Sequence, residues 1–151
     1  MSAPGERTLR MERIFAAPPD QVFDAWTSVK TLRLWWPAGP GWDTPVAEVD
    51  LRVGGRLRLV MRDPSGDEFG GEGTYVTVDR PRRLAFSWRW DDAALGQGQQ
   101  LVDVTFTGNG DGTTTVVLTN TGLSEAEEQS HREGWDASFD NLDEVLHPVR
   151  P

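Results

Sequence analysis

The sequence predicts an α+β fold in which one antiparallel sheet of about seven strands packs on a long C-terminal helix, with two short helices after the first strand. Three observations carry this. Period-two alternation of apolar and polar residues recurs from about Val46 to Thr121, interrupted by glycine- and proline-rich turns. Trp135, Phe139, Leu142 and Leu146 follow one another at offsets of 4, 3 and 4, which is a single helical stripe. Between Pro18 and Pro37 the spacing is helical and short. A half-buried sheet has one apolar face and the helix one apolar stripe, so each is the other's natural cover. With 151 residues and no internal repeat or long linker, residues 1–151 read as one domain with a core spanning about 8–146.

Arg7–Phe15 alternates and forms the first strand. Pro18-Pro19-Asp20 opens a helix, because proline suits a first turn whose N–H has no intrahelical acceptor, and Val22, Phe23 and Trp26 follow at helical spacing. A second helical segment, Lys30–Trp36, stops at Pro37 and Gly39-Pro40-Gly41, leaving loop to about Val46. Strands then run over Val46–Val53, Arg56–Arg62, Glu68–Val78, Leu84–Trp90, Gln100–Thr107 and Thr113–Thr121. Gly54-Gly55, Asp63-Pro64-Ser65-Gly66, Asp79–Arg83 and the glycines of Gly108–Gly112 supply the turns. Ser124 with Glu127 is a capping-box pair that starts a helix running to about Leu146.

The formal charge is −9, with most of the acidity in the C-terminal helix, where a solvated face is expected. That acidic balance, 15 Lys and Arg against 24 Asp and Glu, does not suit nucleic acid, whose affinity depends on neutralising phosphates. No apolar run is long enough to span a membrane and the N-terminus has no apolar signal core, so no membrane association and a cytoplasmic location are expected. The absence of cysteine removes thiolate catalysis, disulfides and Cys-ligated zinc. No phosphate-binding loop, His-Glu-x-x-His or Gly-x-Ser-x-Gly motif is present, and Gly71-Glu72-Gly73 and Gly96-Gln97-Gly98 are too short for dinucleotide binding. His131 and His147 fall about 24 Å apart on a straight helix, so they cannot share a metal, and each reads as a surface residue. No catalytic residue, metal or cofactor is assigned.

Two polar residues stand in apolar registers. Glu72 shares the parity of Thr74, Val76 and Val78; because a lone buried carboxylate is costly, it is at the rim, paired with an arginine, or facing a ligand. Asn120 shares the parity of Val116 and Leu118, as a satisfied core amide or a ligand hydrogen-bonder. Gly134 is odd in mid-helix, where glycine costs up to about 1 kcal/mol relative to alanine. Close approach of the helix to a neighbouring element or to a ligand is the expected compensation.

Phe23-Asp24-Ala25-Trp26, Leu34-Trp35-Trp36-Pro37, Asp50–Arg56, Pro81-Arg82-Arg83-Leu84 with Trp88, Gly112-Thr113-Thr114, Thr119–Leu123, and His131 with Gly134-Trp135 and Leu142 occur in that order. Together they resemble the family named for homology to the C-terminal domain of the activator of heat-shock protein 90 ATPase. That family belongs to the START-like (SRPBCC) superfamily with the Bet v 1 helix-grip fold. The likeness runs from about Thr8 to Leu146, and the chain departs from the pattern at Asn120, where relatives commonly carry histidine. The resemblance implies a curved sheet gripping the C-terminal helix around an apolar cavity, and a non-enzymatic binder of a small hydrophobic ligand. It also implies a homodimer. The alternatives are an enzyme in the same cavity with Glu72 as acid or base, and a protein-interaction module with a chaperone partner. Strand alternation and the helix stripe nominate the lining: Trp35, Trp36, Leu57, Leu59, Met61, Glu72, Thr74, Val76, Phe86, Trp88, Val104, Phe106, Leu118, Asn120, Trp135 and Phe139. A register slip, which would exchange a whole strand's members, is expected near Gly70-Gly71.

Overall fold

The structure, a computed structural model, describes residues 7–37, 40–92 and 98–146. Among the positions singled out above, Gly39, residues 96–97 and His147 lie outside them. Strand β1 (Arg7–Phe15) is followed by helices α1 (Pro19–Thr27) and α2 (Val29–Trp35). Strands β2 (Asp43–Val49), β3 (Arg56–Arg62), β4 (Glu68–Asp79), β5 (Arg83–Trp90), β6 (Gln100–Gly108) and β7 (Thr114–Leu123) come next, and helix α3 (Glu125–Leu146) closes the order. All seven strands form one antiparallel sheet in the order β1-β7-β6-β5-β4-β3-β2. The first strand therefore pairs with the last, and β1 and β2 are the open edges.

Strand β2 lies earlier than expected, at Asp43–Val49 rather than Val46–Val53, and Val53 is exposed in the turn before β3. Pro45 disguises it. On an edge strand a proline loses no ladder bond, and the register with β3 is irregular between Asp43 and Val46, where the proline sits.

The register of β4 differs more consequentially. Gly71 and Tyr75 are buried, whereas Glu72, Thr74 and Val76 are exposed on the opposite face. The irregularity falls between Tyr75 and Thr77, not at Gly70-Gly71, and it returns Val78 to partial burial against the core. A bulge adds one residue to one strand and breaks the two-residue period, so the alternation of Val76 with Val78 misleads. Gly71 and Gly73 leave no apolar side chain to mark the inward face. Their reason is close approach: a Cβ on Gly71 would stand 2.4 Å from Cζ2 of Trp88, and one on Gly73 would stand 1.6 Å from the Ser87 carbonyl oxygen.

Helix α3 begins with the expected capping box. Ser124 Oγ accepts from the Glu127 N–H at 3.1 Å, and Glu127 Oε1 accepts from the Ser124 N–H at 2.8 Å. Its acidic face is not merely solvated, since Arg13 of β1 donates to Asp136 and to Asp140 at 2.7 Å each, one turn apart on the helix. Its inner face holds the end of α2, whose last carbonyls have no intrahelical donors. Ser138 Oγ donates to the Trp36 carbonyl at 3.0 Å, and Asn141 Nδ2 donates to that of Pro37 at 2.7 Å. Thus α3 is fixed to β1 and β7 and to α1 and α2. Beneath it Phe15, Phe23, Trp26, Leu84, Val104, Phe106, Leu118 and Phe139 make a closed apolar core.

Candidate functional site

Across β3 to β6, α3 stands off from the sheet and leaves a pocket of about 310 Å³. The stretch after α2 contributes Trp36 and Trp42; β3 and β4 contribute Met61 and Phe69. Strand β5 contributes Phe86, Trp88 and Trp90, and β6 contributes Gln100 and Val102. Asn120 comes from β7, and Ser130, His131, Gly134, Trp135 and Ser138 come from α3. Five of the chain's seven tryptophans line this space. Four of them brace one another, edge to face for Trp36–Trp135 and Trp88–Trp90, with ring centroids 5.3 and 5.4 Å apart, and tilted at 51° for Trp36–Trp88 at 5.6 Å. Trp42 stacks on Phe69 at 5.7 Å, and both are partly exposed beside Met61 and Trp90, which places the mouth there.

Of the nominated lining, Trp36, Met61, Phe86, Trp88, Asn120 and Trp135 stand in this pocket. Trp35, Leu57, Leu59, Val104, Phe106, Leu118 and Phe139 face the same side of the sheet, but they are packed into the core with at most 3 % exposure. Trp35 spends its indole N–H on the Ala25 carbonyl at 2.8 Å, and α1 covers Phe106 through Phe23. Alternation tells which face a residue is on; it does not tell how far the covering helices extend. Glu72, Thr74 and Val76 alternate with the buried Gly71 and Tyr75 and so are on the outer face, the β4 bulge giving Val78 the opposite orientation, and Glu72 pairs with Arg56 at 3.0 Å and Arg58 at 3.5 Å. The arginine-paired reading of Glu72 is the one present.

The nominated lining leaves out Trp42, Phe69, Trp90, Gln100, Val102, Ser130, His131 and Ser138, and also Gly134, which the sequence marks only for a close approach to a neighbour or a ligand. His131 is the main correction, because it is half-buried at the pocket wall and not a surface residue. A signal existed: the stripe of Trp135, Phe139 and Leu142 extends one step back to 131. Gln100 likewise shares the parity of Val102, Val104 and Phe106. Gly134 lies on the pocket row of α3, and a Cβ there would meet nothing within 4 Å, so no close approach of a neighbouring element explains it.

The polar groups of the lining form one directed chain. An indole N–H can only donate, so Trp135 Nε1, 3.1 Å from Asn120 Oδ1, fixes that amide's orientation. Asn120 Nδ2 then donates to Gln100 Oε1 at 3.0 Å, which turns Gln100 Nε2 towards His131 Nε2 at 3.3 Å. Trp90 Nε1, a second indole donor, reaches the same His131 Nε2 at 3.2 Å. His131 Nε2 must therefore be the acceptor, and Nδ1 carries the hydrogen, donated to the Glu127 carbonyl at 2.8 Å. Burial pushes the His131 pKa below its ordinary value against the opposing pull of the Glu127 carbonyl and carboxylate, consistent with a neutral ring. The described lining contains no Asp, Glu, Lys or Arg. Among the described residues no group of three or more His, Asp and Glu side chains could hold a metal ion.

A sheet wrapped on a C-terminal helix, with two short helices between its first two strands, is the helix-grip architecture. The chain matches the family of Activator of Hsp90 ATPase homolog 1-like proteins over residues 16–147, and it belongs to that family. A solved protein from Chromobacterium violaceum is 26% identical with a TM-score of 0.86, covering 97% of this chain and 100% of its own. One from Rhodobacter sphaeroides is 26% identical with a TM-score of 0.81 and covers 95% of each chain. The AHSA1 protein of Silicibacter pomeroyi is 27% identical with a TM-score of 0.80, covering 93% of this chain and 97% of its own. No match was found among curated proteins. At the level of family and fold, the chain is a ligand-binding or regulatory domain. Among the described residues no helix is long and apolar enough to cross a membrane.

Proposed function

We propose that the protein binds a small, largely apolar, uncharged molecule in the pocket between α3 and strands β3–β6. The observation that carries this reading is a space of about 310 Å³ walled by five indoles, with no formally charged side chain in its described lining. That size sits at the lower end of small-molecule sites, and the wall has their usual character of mostly aromatic surface with a few polar tips. An anion or a cation entering it would lose its hydration without gaining a counter-charge. The enzymatic alternative is weaker, because Glu72, its only candidate acid, is on the outer face with Arg56 and Arg58. His131 does not replace it, since the ring's one acceptor lone pair already faces two N–H donors.

Calorimetric titration with uncharged bicyclic aromatics, beginning with 2-ethylnaphthalene, tests the reading. Binding tighter than about 100 μM is expected, equivalent to about 5.5 kcal/mol. Gly134→Leu should abolish it while the protein stays folded, because the new side chain projects into empty space. Absence of any binding in the series, or binding untouched by Gly134→Leu, overturns the proposal.

A further inference from the structure

Two N–H donors converge on one lone pair at the pocket wall. Trp90 Nε1 and Gln100 Nε2 lie 3.2 and 3.3 Å from His131 Nε2, at the long end of ordinary hydrogen-bond distances. The lone pair cannot be doubled by protonation or by a tautomer change, because either would set a third hydrogen against the two already there. Gln100 is committed: it is 2 % exposed, and its orientation is dictated from the far end of the chain by the Trp135 indole through Asn120. Trp90 is not. It is half-buried at the mouth, and its indole N–H has no acceptor among the described residues other than the contested nitrogen. The site thus holds a surplus donor, while the rest of the wall is aromatic.

Resting on the binding reading above, we propose that the ligand carries a hydrogen-bond-accepting oxygen, a ketone or similar uncharged carbonyl, at the end of an apolar body. Its oxygen takes the Trp90 indole N–H, leaving His131 Nε2 to Gln100 alone. The apolar body lies deeper, against Trp36, Trp88 and Trp135. A donor-only head such as an ammonium has no free acceptor at Trp90, and a carboxylate meets no cation in the described lining.

The isosteric pair 2-acetylnaphthalene and 2-ethylnaphthalene isolates the oxygen. By calorimetry the ketone should bind about five- to tenfold tighter, the size of one net neutral hydrogen bond. Trp90→Phe, which keeps an aromatic ring and removes the N–H, should reduce that ratio to near one, the hydrocarbon serving as the reference for whatever the smaller ring does to both affinities. In nitrogen-15 spectra the Trp90 indole resonance should move with the ketone and not with the hydrocarbon. Equal affinities in the native protein, or a ratio that survives Trp90→Phe, overturn the carbonyl proposal and leave apolar binding intact. If neither compound binds, both readings fall.

Discussion

His131 is held neutral by its neighbours, and this has a consequence for stability. Trp90 and Gln100 face Nε2 as neutral donors, and the nearby charge is Glu127 on the same helix. Burial outweighs that carboxylate, so the folded-state pKa lies below the ordinary histidine value of about 6.5. Between those two values the unfolded chain binds more protons than the folded one, so this contribution is complete above about pH 6.5 and is lost as pH falls through that window. Urea unfolding at pH 7.5 and pH 5.5 should therefore show lower stability at 5.5, and His131→Asn should flatten the difference. A slope that His131→Asn leaves unchanged would place the titration elsewhere. Asp43 and Asp91, lowered by hydrogen bonds from Arg62 and Arg58, act in the same direction but only at the acid end, as pH falls through and below the carboxylate range. Gly134 gives the complementary test. Alanine there meets nothing within 4 Å and restores helix propensity, so Gly134→Ala should stabilise the protein by up to about 1 kcal/mol in denaturant titrations. Destabilisation would mean that the glycine serves packing and not open space.

For single elements, what could be read from the sequence depended on whether side chains or glycines marked the buried face. Helix α3 was legible at both levels, through the Ser124–Glu127 box and the stripe from Trp135 to Leu142, because its apolar inward positions carry large side chains, whereas His131, Gly134 and Ser138 on the pocket side carry none that marks them as buried. In β4 the inward positions are Gly71, Gly73 and Tyr75, so the only visible alternation belonged to the outer face, and the Tyr75–Thr77 bulge carried the error as far as Val76. Gly71 is the condition for Trp88 to lie across the strand, and Gly73 for the close approach of the Ser87 backbone. Gly71→Ala would bring a methyl group to 2.4 Å from Cζ2 of that indole, and Gly71's other near neighbour is the Arg89 backbone oxygen at 3.0 Å. Neither can yield without moving β5, so the substitution should cost about 1–3 kcal/mol by denaturant titration and shift the tryptophan emission. A loss below about 0.5 kcal/mol, the scale of neutral surface changes, would show that β4 and β5 tolerate the displacement.

At the scale of the whole molecule, the fold was readable because it is set by which elements exist and which faces they bury, whereas the pocket is set by where coverage stops. Residues as alike in pattern as Phe106 and Trp88 divide between core and pocket only because α1 covers the first and α3 stands off from the second. That same asymmetry predicts how a ligand should change the molecule's motions. Helix α3 is tied to β1 through Arg13 with Asp136 and Asp140, and to the end of α2 through Ser138 and Asn141. On the pocket side, among the described residues, its side chains meet the sheet through the hydrogen bonds of Trp135 and His131 and the ring contact of His131 with Trp90. The N-terminal half of α3 is therefore the part with least packing beneath it, and local opening there should lie at the low end of the free-energy range. A ligand seated between Trp135 and Trp88 supplies the missing contacts. Native-state hydrogen exchange with saturating 2-acetylnaphthalene should slow amides of residues 127–135 and of β5 and β6, under conditions where exchange proceeds by local opening. Amides of the end of the β1–β7 pair remote from Asn120, Arg13–Phe15 with Thr114–Val116, should slow only to the extent that global stability rises. That global term is fixed by mass action at about 2.7 kcal/mol when the ligand is at a hundred times its dissociation constant. Added protection spread evenly over the chain, or confined to the β1 edge, would mean that the ligand sits somewhere other than under α3.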